Sequence, residues 1–314
     1  IAWTGAVGTT VAGSFGTLTV GADGSYSYLL NNALASVQGL APLDAPLEDV
    51  FTYTITDGDG DTSLATLKIL VNGADDGVTI TGINAAGGDE TVDEDDLPAG
   101  SSPLPAALTQ TGTFTVSAPD GFNNLDIGGT LVITGGAVTN IGVPIATTYG
   151  TLTITGVSLA TGVVDYSYTL SANTLVHPAA GQDSVLDNIA VSLTDTDGSS
   201  DTSTLVVTVI DDVPTAVLET DSVTEDGPLT ATGNVITGID PGPDANGTDG
   251  VADTAGADGI ASIAWTGAVG TTVAGSFGTL TVLADGSYSY LLNNALAVVQ
   301  GLAPLDAPLE DVFT

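Results

Sequence analysis

The chain has 314 residues, of which 38 are Asp or Glu and one is Lys or Arg, so its formal net charge at pH 7 is −37. Such a chain offers no positive surface to nucleic acid or to an anionic membrane. Because 43% of its residues are hydrophobic, it is not a disordered acidic tail. It has no Cys for disulfides, and no apolar run reaches the roughly 18 residues of a spanning helix. We therefore expect folded domains, no membrane insertion in this segment, and cations among the carboxylates.

Two pairs of alternating segments predict antiparallel β-hairpins. In the first pair, Gly16–Val20 is followed by residues 25–28, and in the second, residues 150–154 are followed by residues 165–168. Each pair has the Gly-Thr-Leu-Thr and Tyr-Ser-Tyr pattern of half-buried strands. Helix is nearly absent from the prediction, apart from one turn within residues 31–40 and one within their copy at 293–302.

A longer hairpin closes each of these stretches. Residues 51–56 alternate aromatic or aliphatic side chains with threonine, and an Asp-Gly-Asp-Gly-Asp turn then leads into a second β-prone run. The same unit recurs at residues 189–212. Each hairpin runs into a pair of adjacent aspartates, Asp75/Asp76 or Asp211/Asp212, and each pair is followed by a similar segment, Val92-Asp-Glu-Asp or Val223-Thr-Glu-Asp.

The repeats predict the domain organisation. Ile1 to Thr52 recurs as Ile263 to Thr314 with two differences, so the period is 262 residues, and the weaker repeat divides each period in two. We predict the C-terminal part of one module at residues 1–74, a complete module at 75–211, and the N-terminal part of the next module at 212–314. Short strands between Gly, Asp, Asn and Pro turns favour an all-β chain of immunoglobulin-like antiparallel β-sandwich modules in a linear array.

A glycine-rich acidic stretch at residues 238–259 is too polar for a core. It carries five aspartates, and we predict a long surface loop. Those aspartates are Asp240, Asp244, Asp249, Asp253 and Asp258.

Calcium is the predicted cofactor, because hard cations take six to eight oxygen ligands from carboxylates and carbonyls. The spacing of Asp57, Asp59 and Asp61 matches the first half of an EF-hand loop, but Thr62 and Lys68 stand where that loop needs Gly and Glu. A site formed by loops and linkers between modules remains open, as does the alternative that these residues only favour a turn. The candidate ligands are Asp57, Asp59, Asp61, Asp75, Asp76, Glu94, Asp195, Asp197, Asp201, Asp211, Asp212 and Glu225.

The length of the closing hairpin decides which of these carboxylates can meet. About nine residues separate the Asp201 turn from the Asp211 linker, or roughly 30 Å along a strand. One ion therefore cannot bind both. We predict that Asp195, Asp197 and Asp201 meet Asp75 and Asp76, and that Asp211 and Asp212 meet the counterpart of the Asp57 turn in a further copy after Thr314.

An enzymatic function is not expected. The single histidine, His177, precedes a proline in a predicted loop, where an imidazole is usually solvated, and there is neither a Cys nucleophile nor a phosphate-binding loop before a helix. A solvated role is also expected for Lys68, rather than an isopeptide crosslink. Trp3 and Trp265 are predicted to pack in the core rather than to form sugar platforms.

The motifs resemble a known group of proteins. The GTLTVGADGSYSY segment, together with the Asp57 hairpin, is similar to the VCBS-type repeat of giant bacterial adhesins. The TGTFTVSAPDG segment at residues 111–121, YGTLTITG at 149–156 and the Asp195 hairpin resemble repeats of type I-secreted surface proteins. The resemblance implies an extracellular, calcium-loaded stalk of a biofilm adhesin, on the cell surface or in the matrix.

Two functions follow as expectations. The first is a structural extender stiffened by calcium, whose partners are the neighbouring modules and, in a fibre, other copies of the same protein. The second is a calcium-dependent module that binds other adhesin chains or glycans. Near-identical duplication favours the extender, because duplication increases length, whereas a binder needs an exposed aromatic cluster in a cleft.

Overall fold

The computed structural model describes residues 1–6, 8–173, 177–239 and 250–314. Regular structure in these residues is almost entirely β-strand, with two single-turn α-helices and one 3-10 turn. The prediction of an all-β chain built from antiparallel sheets is confirmed.

The first stretch of chain ends in the long predicted hairpin. Its two last strands pair over ten residues, from Leu47 opposite Val71 to Thr56 opposite Thr62, and the predicted single helical turn is present. The elements are β1 (Ala2–Trp3), β2 (Thr10–Ala12), β3 (Gly16–Val20), β4 (Tyr26–Leu30), α1 (Ala35–Gln38), β5 (Leu47–Thr56) and β6 (Thr62–Val71).

The middle stretch carries most of the strands. They are β7 (Thr79–Thr81), β8 (Glu90–Asp93), β9 (Thr109–Ser117), β10 (Phe122–Ile127), β11 (Thr130–Thr134), β12 (Ala137–Val138), β13 (Pro144–Ala146), β14 (Gly150–Val157), β15 (Val163–Leu170), β16 (Ser184–Asp195) and β17 (Ser200–Ile210). A 3-10 turn at Glu94–Asp96 follows β8, and the Asp93 carboxylate caps it by accepting a hydrogen bond from the Asp95 amide at 3.1 Å.

The last stretch repeats part of this pattern with β18 (Thr230–Asn234), β19 (Thr272–Ala274), β20 (Gly278–Val282), β21 (Ser287–Leu292) and α2 (Ala297–Gln300). Its sheet has the order β18-β21-β20-β19, which matches β9-β15-β14-β13 within a five-stranded sheet that β7 completes. The other sheets are β1-β5-β6, β2-β3-β4 and β12-β11-β10-β16-β17-β8. Equivalent strands therefore carry Tyr166/Tyr168 and Tyr288/Tyr290, as the internal repeat predicts.

The chain divides into two compact units. The first comprises Ile1–Thr91, Gln110–Thr169 and Leu186–Thr208, and the second comprises Val92–Thr109, Leu170–Val185 and Val209–Thr314. The second unit contains the β18–β21 sheet, and the other four sheets lie mainly in the first. The module boundaries given by the sequence repeats stay a prediction.

Alternation of apolar and polar residues places the core. In the middle stretch, inward-facing side chains of four strands are at most 2% exposed, namely Phe114, Val116, Leu125, Ile127, Leu152, Ile154 and Tyr168. Both tryptophans pack against cores as predicted, Trp3 beside the Leu18 cluster and Trp265 beside the Leu280 cluster.

A tyrosine–aspartate pair that is buried in the middle stretch and partly buried in the other two recurs three times and was not predicted. The hydroxyls of Tyr28, Tyr168 and Tyr290 donate to Asp49, Asp187 and Asp311 at 2.7, 2.8 and 2.7 Å. Each aspartate also accepts backbone amides from the turn between two short strands, for example those of Ser14 and Phe15. Burial and the neighbouring carboxylate raise the pKa of each of these tyrosines. The pair thus fixes the short hairpin of each copy to the start of its closing hairpin.

Candidate metal centres

The turn between β16 and β17 buries a carboxylate. Asp195 ends β16 opposite Phe122 of β10, and it is 0% exposed. Its Oδ1 accepts hydrogen bonds from the amides of Gly198 (2.9 Å) and Ser199 (2.8 Å). Gly198 has φ +107°, a conformation that only glycine adopts without strain. The turn therefore holds Oδ1 in place and leaves the other oxygen, Oδ2, for another partner.

Four carboxylates converge at this turn, those of Asp75, Asp120, Asp195 and Asp197. One oxygen from each lies within 4.8 Å of the others. Asp120 comes from the Pro-Asp-Gly turn between β9 and β10, and its Oδ2 accepts the Asp76 amide at 2.9 Å. The Ser199 hydroxyl lies 2.9 Å from both oxygens of Asp75, to which it donates. The acidic linker is thereby attached to the turn through backbone and side-chain contacts.

The electrostatics of this group favour a bound cation. Asp120 is 6% exposed, and neither its Oδ1 nor the Oδ2 of Asp195 has a hydrogen-bond partner among the described residues. The pKa of Asp197 is raised because its carboxyl shares a hydrogen bond with Asp195 and faces the charges of Asp195 and Asp75. Buried carboxylates without a compensating charge are costly. A hard divalent ion with oxygen ligands would fit this donor set.

The structure brings together most of the residues predicted for this junction. Asp75, Asp195 and Asp197 meet, while Asp76 contributes its backbone amide. Asp201 lies outside the group, because its Oδ2 accepts the Ile80 amide at 2.8 Å. Asp120 was not among the predicted ligands, although an Asp-Gly turn directly after a strand is the signal that would have indicated it.

The equivalent turn between β5 and β6 is solvent-exposed. Asp57 Oδ1 accepts amides from Asp59 (3.3 Å), Gly60 (3.0 Å) and Asp61 (2.8 Å). The pKa of Asp57 is lowered by hydrogen bonds from the Asp59 carboxyl and from these amides. The three carboxylates lie close together, but no carboxylate from another described segment joins them. This geometry is that of a self-contained turn, the simpler of the two interpretations of the sequence.

A second mixed group lies in the second compact unit. It consists of Glu94, His177, Asp211 and Asp258, with one donor atom from each within 4.8 Å of the others. Nε2 of His177 lies 3.3 Å from Asp211 Oδ1 and 3.6 Å from Glu94 Oε2. The neighbouring Asp212 faces elsewhere, because its two oxygens accept the amide and hydroxyl of Ser101 at 2.7 and 2.6 Å. Contact of Asp211 and Asp212 with a turn after Thr314 stays a prediction.

The expectation that His177 is solvated was wrong. Its side chain is 9% exposed, and Nδ1 lies 2.7 Å from Asp183 Oδ1. Burial by itself lowers the pKa of His177, but the hydrogen bond to Asp183 and the charges of Asp211 and Glu94 raise it overall. Burial is also the main cause of the raised pKa of Asp211. The nearby imidazole of His177 acts in the opposite direction and lowers that pKa in part. A single histidine before a proline gave no signal of these partners; Asp183 is six residues away, whereas Glu94 and Asp211 come from distant segments.

The glycine-rich acidic stretch is only partly described. Asp240, Asp244 and Asp249 lie outside the described residues. Asp253 accepts the Val217 amide at 2.8 Å, and Asp258 belongs to the histidine group. The described end of the stretch, residues 250–259, is mostly exposed, Asp258 included, which agrees with the predicted surface loop.

Two further predicted positions have simpler surroundings. Glu225, the counterpart of Glu94 by sequence, is half-buried and joins none of the acidic groups found in the described residues. Lys68 is exposed and lies 3.0 Å from Glu48, which agrees with a solvated lysine.

Among the described residues, no helix is long and apolar enough to cross a membrane.

Comparison with known proteins gives one family match. Residues 2–73 match the model of the bacterial cadherin-like domain family. None of the curated proteins matches the sequence. That first stretch is thus similar to a bacterial cadherin-like domain.

Two solved structures share a low likeness with the chain. Cadherin domains 3–6 of protocadherin gamma B2 share 11% identity with the chain, at a TM-score of 0.30 over 88% of it. The chain spans 54% of that structure. A Ca²⁺-stabilised adhesin with which an Antarctic bacterium binds ice shares 16% identity, at a TM-score of 0.16 over 92% of the chain and 83% of the adhesin.

Proposed function

We propose that this chain is a structural extender segment of a repetitive bacterial surface adhesin, made rigid by calcium where one module joins the next. The observation that carries the proposal is the convergence of linker Asp75 with Asp120, Asp195 and Asp197. Asp120 and Asp195 are buried, and each has one carboxylate oxygen without a hydrogen-bond partner among the described residues. The bacterial cadherin-like match at residues 2–73 supports the same conclusion.

Calcium suits this group better than a smaller ion. Four carboxylates, each able to give one or two oxygens, can supply most of the six to eight ligands that Ca²⁺ accepts in flexible geometry. The ion would join the linker, the Asp120 turn and the Asp195 turn. Because these segments meet only in the folded, docked arrangement, calcium stabilises that arrangement by mass action. The hinge between the linker and the sandwich is then held in one conformation.

The wider setting follows from the repeats. A 262-residue period with two differences in 52 residues is suited to a spacer, whose useful property is length. The resemblance to VCBS-type and type I-secreted repeats supports a stalk outside the cell, on the surface or in a biofilm matrix. Its partners are neighbouring modules and, in a fibre, other copies of the chain, and no catalytic role is assigned to it.

The alternative binding function has one feature in its favour, a depression lined by Trp3, Tyr26 and Tyr53. Tyr26 is 53% exposed there. In the later copy, however, its counterpart Tyr288 donates to Asp221 at 3.0 Å, and strand β21 is covered by β18. In that copy the tyrosine hydroxyl and the edge of strand β21 are thus engaged by the chain itself, which favours the extender.

Small-angle scattering on the chain with calcium, and then with chelator, tests the proposal. We expect a narrower distribution of distances and a larger maximum dimension with calcium, and Asp75→Asn should reproduce the chelated state. Asp57→Asn is the matched control and should behave as the wild type does. Identical scattering in both conditions, with an unchanged Tm, would remove calcium from the mechanism.

A further inference from the structure

We propose that Glu94, His177, Asp211 and Asp258 form a site for a divalent transition-metal ion of the Zn²⁺ class. This site is chemically distinct from the all-carboxylate group around Asp195. The inference does not depend on the calcium proposal, because the two groups share no residue.

The donor set matches the ligands that zinc selects. Zn²⁺ binds imidazole nitrogen at about 2.0–2.1 Å and carboxylate oxygen at about 2.0–2.2 Å, usually with four ligands in a tetrahedron. Such bond lengths put neighbouring ligand atoms roughly 3.3–3.6 Å apart. The two measured separations from His177 Nε2, 3.3 Å to Asp211 and 3.6 Å to Glu94, equal the edges of that tetrahedron. The Asp258 carboxylate offers a fourth ligand atom, which lies within 4.8 Å of the other three.

The imidazole is oriented as a ligand. Nδ1 is engaged by Asp183 at 2.7 Å, which directs the other nitrogen, Nε2, into the group. Nε2 is buried and makes no hydrogen bond to any described residue, although two carboxylates lie close to it. A carboxylate on the outer nitrogen of a metal-bound histidine is the usual arrangement that fixes the tautomer and strengthens the ligand. His177 thus has ligand carboxylates near one ring nitrogen and an orienting carboxylate on the other, as in such a site.

Calcium is the weaker match for the same group. It prefers six to eight oxygen ligands, and an imidazole nitrogen contributes little to a hard ion. Glu94 is 0% exposed and Asp211 is 8% exposed, so there is little room for the water molecules that would complete a calcium shell. A small ion held by four protein ligands needs fewer waters, and it therefore fits the buried side of this group, formed by Glu94 and Asp211, better.

One side of the group is open to solvent. Asp258 is exposed, and the Asn173 side chain donates to its Oδ1 at 2.6 Å. An ion can therefore enter past Asp258, which Asn173 already holds in position. Binding would also attach the segment around Asp258 to the linker at Asp211, within the second compact unit.

The composition of the chain makes the test unambiguous, because it contains one histidine and no cysteine. The full chain is stripped with chelator, saturated with millimolar Ca²⁺, and titrated with Co²⁺ as a visible probe and with Zn²⁺ in NMR. We expect one equivalent of tetrahedral Co²⁺ absorption that Zn²⁺ displaces, and a Zn²⁺-induced shift of the single imidazole Nε2. Loss of the absorption on adding Ca²⁺, or an unchanged imidazole signal, would overturn the proposal.

Variants separate ligation from folding. His177→Gln should abolish the Co²⁺ absorption, and Asp183→Asn should weaken Zn²⁺ binding about 10- to 100-fold. Because Asp258 is exposed, Asp258→Ala leaves the fold intact and should weaken Zn²⁺ binding at least as much. Glu225→Gln, at the counterpart of Glu94, and Asp195→Asn should both leave Zn²⁺ binding unchanged. Wild-type Zn²⁺ affinity in Asp258→Ala and His177→Gln would refute the assignment.

Discussion

The two hairpin turns at Asp57 and Asp195 have related sequences but different surroundings. In both, the first aspartate accepts amides from the residues of the turn, and a glycine adopts nearly the same φ, +103° at Gly60 and +107° at Gly198. Asp57 is exposed, whereas Asp195 is 0% exposed. The local structure of the turn is therefore set by its own residues, and the burial is set by other segments.

The carboxylates that lie close to Asp195 come from two other segments of the chain. The acidic linker brings Asp75, and the turn after β9 brings Asp120. There the hydrogen bond that Asp197 shares with Asp195, together with the charges of Asp195 and Asp75, raises the pKa of Asp197. Both turns bring carboxylates together, but only the Asp195 turn combines buried carboxylates with others from distant segments of the described chain.

The largest expected difference between the turns is in calcium-dependent stability. Calcium at 100 times its Kd stabilises a folded protein by about 2.7 kcal/mol, or roughly 5–10 °C in Tm for a domain of this size. We expect Asp195→Asn to lose this gain, because the central ligand is neutralised, and Asp57→Asn to keep it. Thermal unfolding followed by circular dichroism, with calcium and with chelator, measures both. Equal losses in the two variants would remove the distinction between the turns.

A smaller effect is expected at Asp120, the residue for which the Asp57 turn has no counterpart among the described residues. Asp120→Asn should raise the calcium Kd about tenfold or more, equivalent to about 1.4 kcal/mol, because one charged ligand is lost. Calorimetric titration measures it. The control is Asp126→Asn in β10, whose carboxylate accepts the Gly129 amide at 2.9 Å away from the group. An unchanged Kd in Asp120→Asn would exclude Asp120 as a ligand.

The position that differs most between the turns is Ser199, which stands where the other turn has Asp61. Ser199→Ala removes the hydroxyl that positions Asp75, so calcium binding should weaken by about 0.5–1.5 kcal/mol. Asp61→Ala should leave calcium binding as it is. The same titration compares the two variants, and a stronger effect at Asp61 would reverse the ranking of the turns.

The glycines should show no difference between the turns. Alanine at Gly60 or Gly198 has to adopt a positive φ, which costs about 1–2 kcal/mol. Denaturant unfolding with chelator present should give similar losses for both variants. A loss confined to Gly198→Ala would mean that burial, rather than local geometry, requires that glycine.

Local sequence was enough to predict much of the fold. Alternation located the long hairpins, and Asn31 to Leu40 was correctly given a single helical turn. The meeting of Asp75 with Asp195 and Asp197 also followed from strand length, because a rigid hairpin separates its turn from its linker. These features depend on short stretches whose geometry is regular.

The rest depended on contacts between distant segments. Asp120 and Asp258 lie in loops whose paths no periodic pattern gives. The side chain of His177 meets Asp183 and Asp211 only after folding. From the sequence alone, His177 was therefore predicted to be a solvated loop residue. The Tyr28–Asp49 pair was missed for the same reason, since its two members lie on different strands and each alone is unremarkable.

Anomalous diffraction from a crystal of the chain grown with calcium tests the central claim most directly. The account predicts an ion about 2.3–2.6 Å from carboxylate oxygens of Asp75, Asp120, Asp195 and Asp197, and none at Asp57, Asp59 and Asp61. Anomalous density at the Asp57 turn, with none at the Asp195 turn, would contradict it.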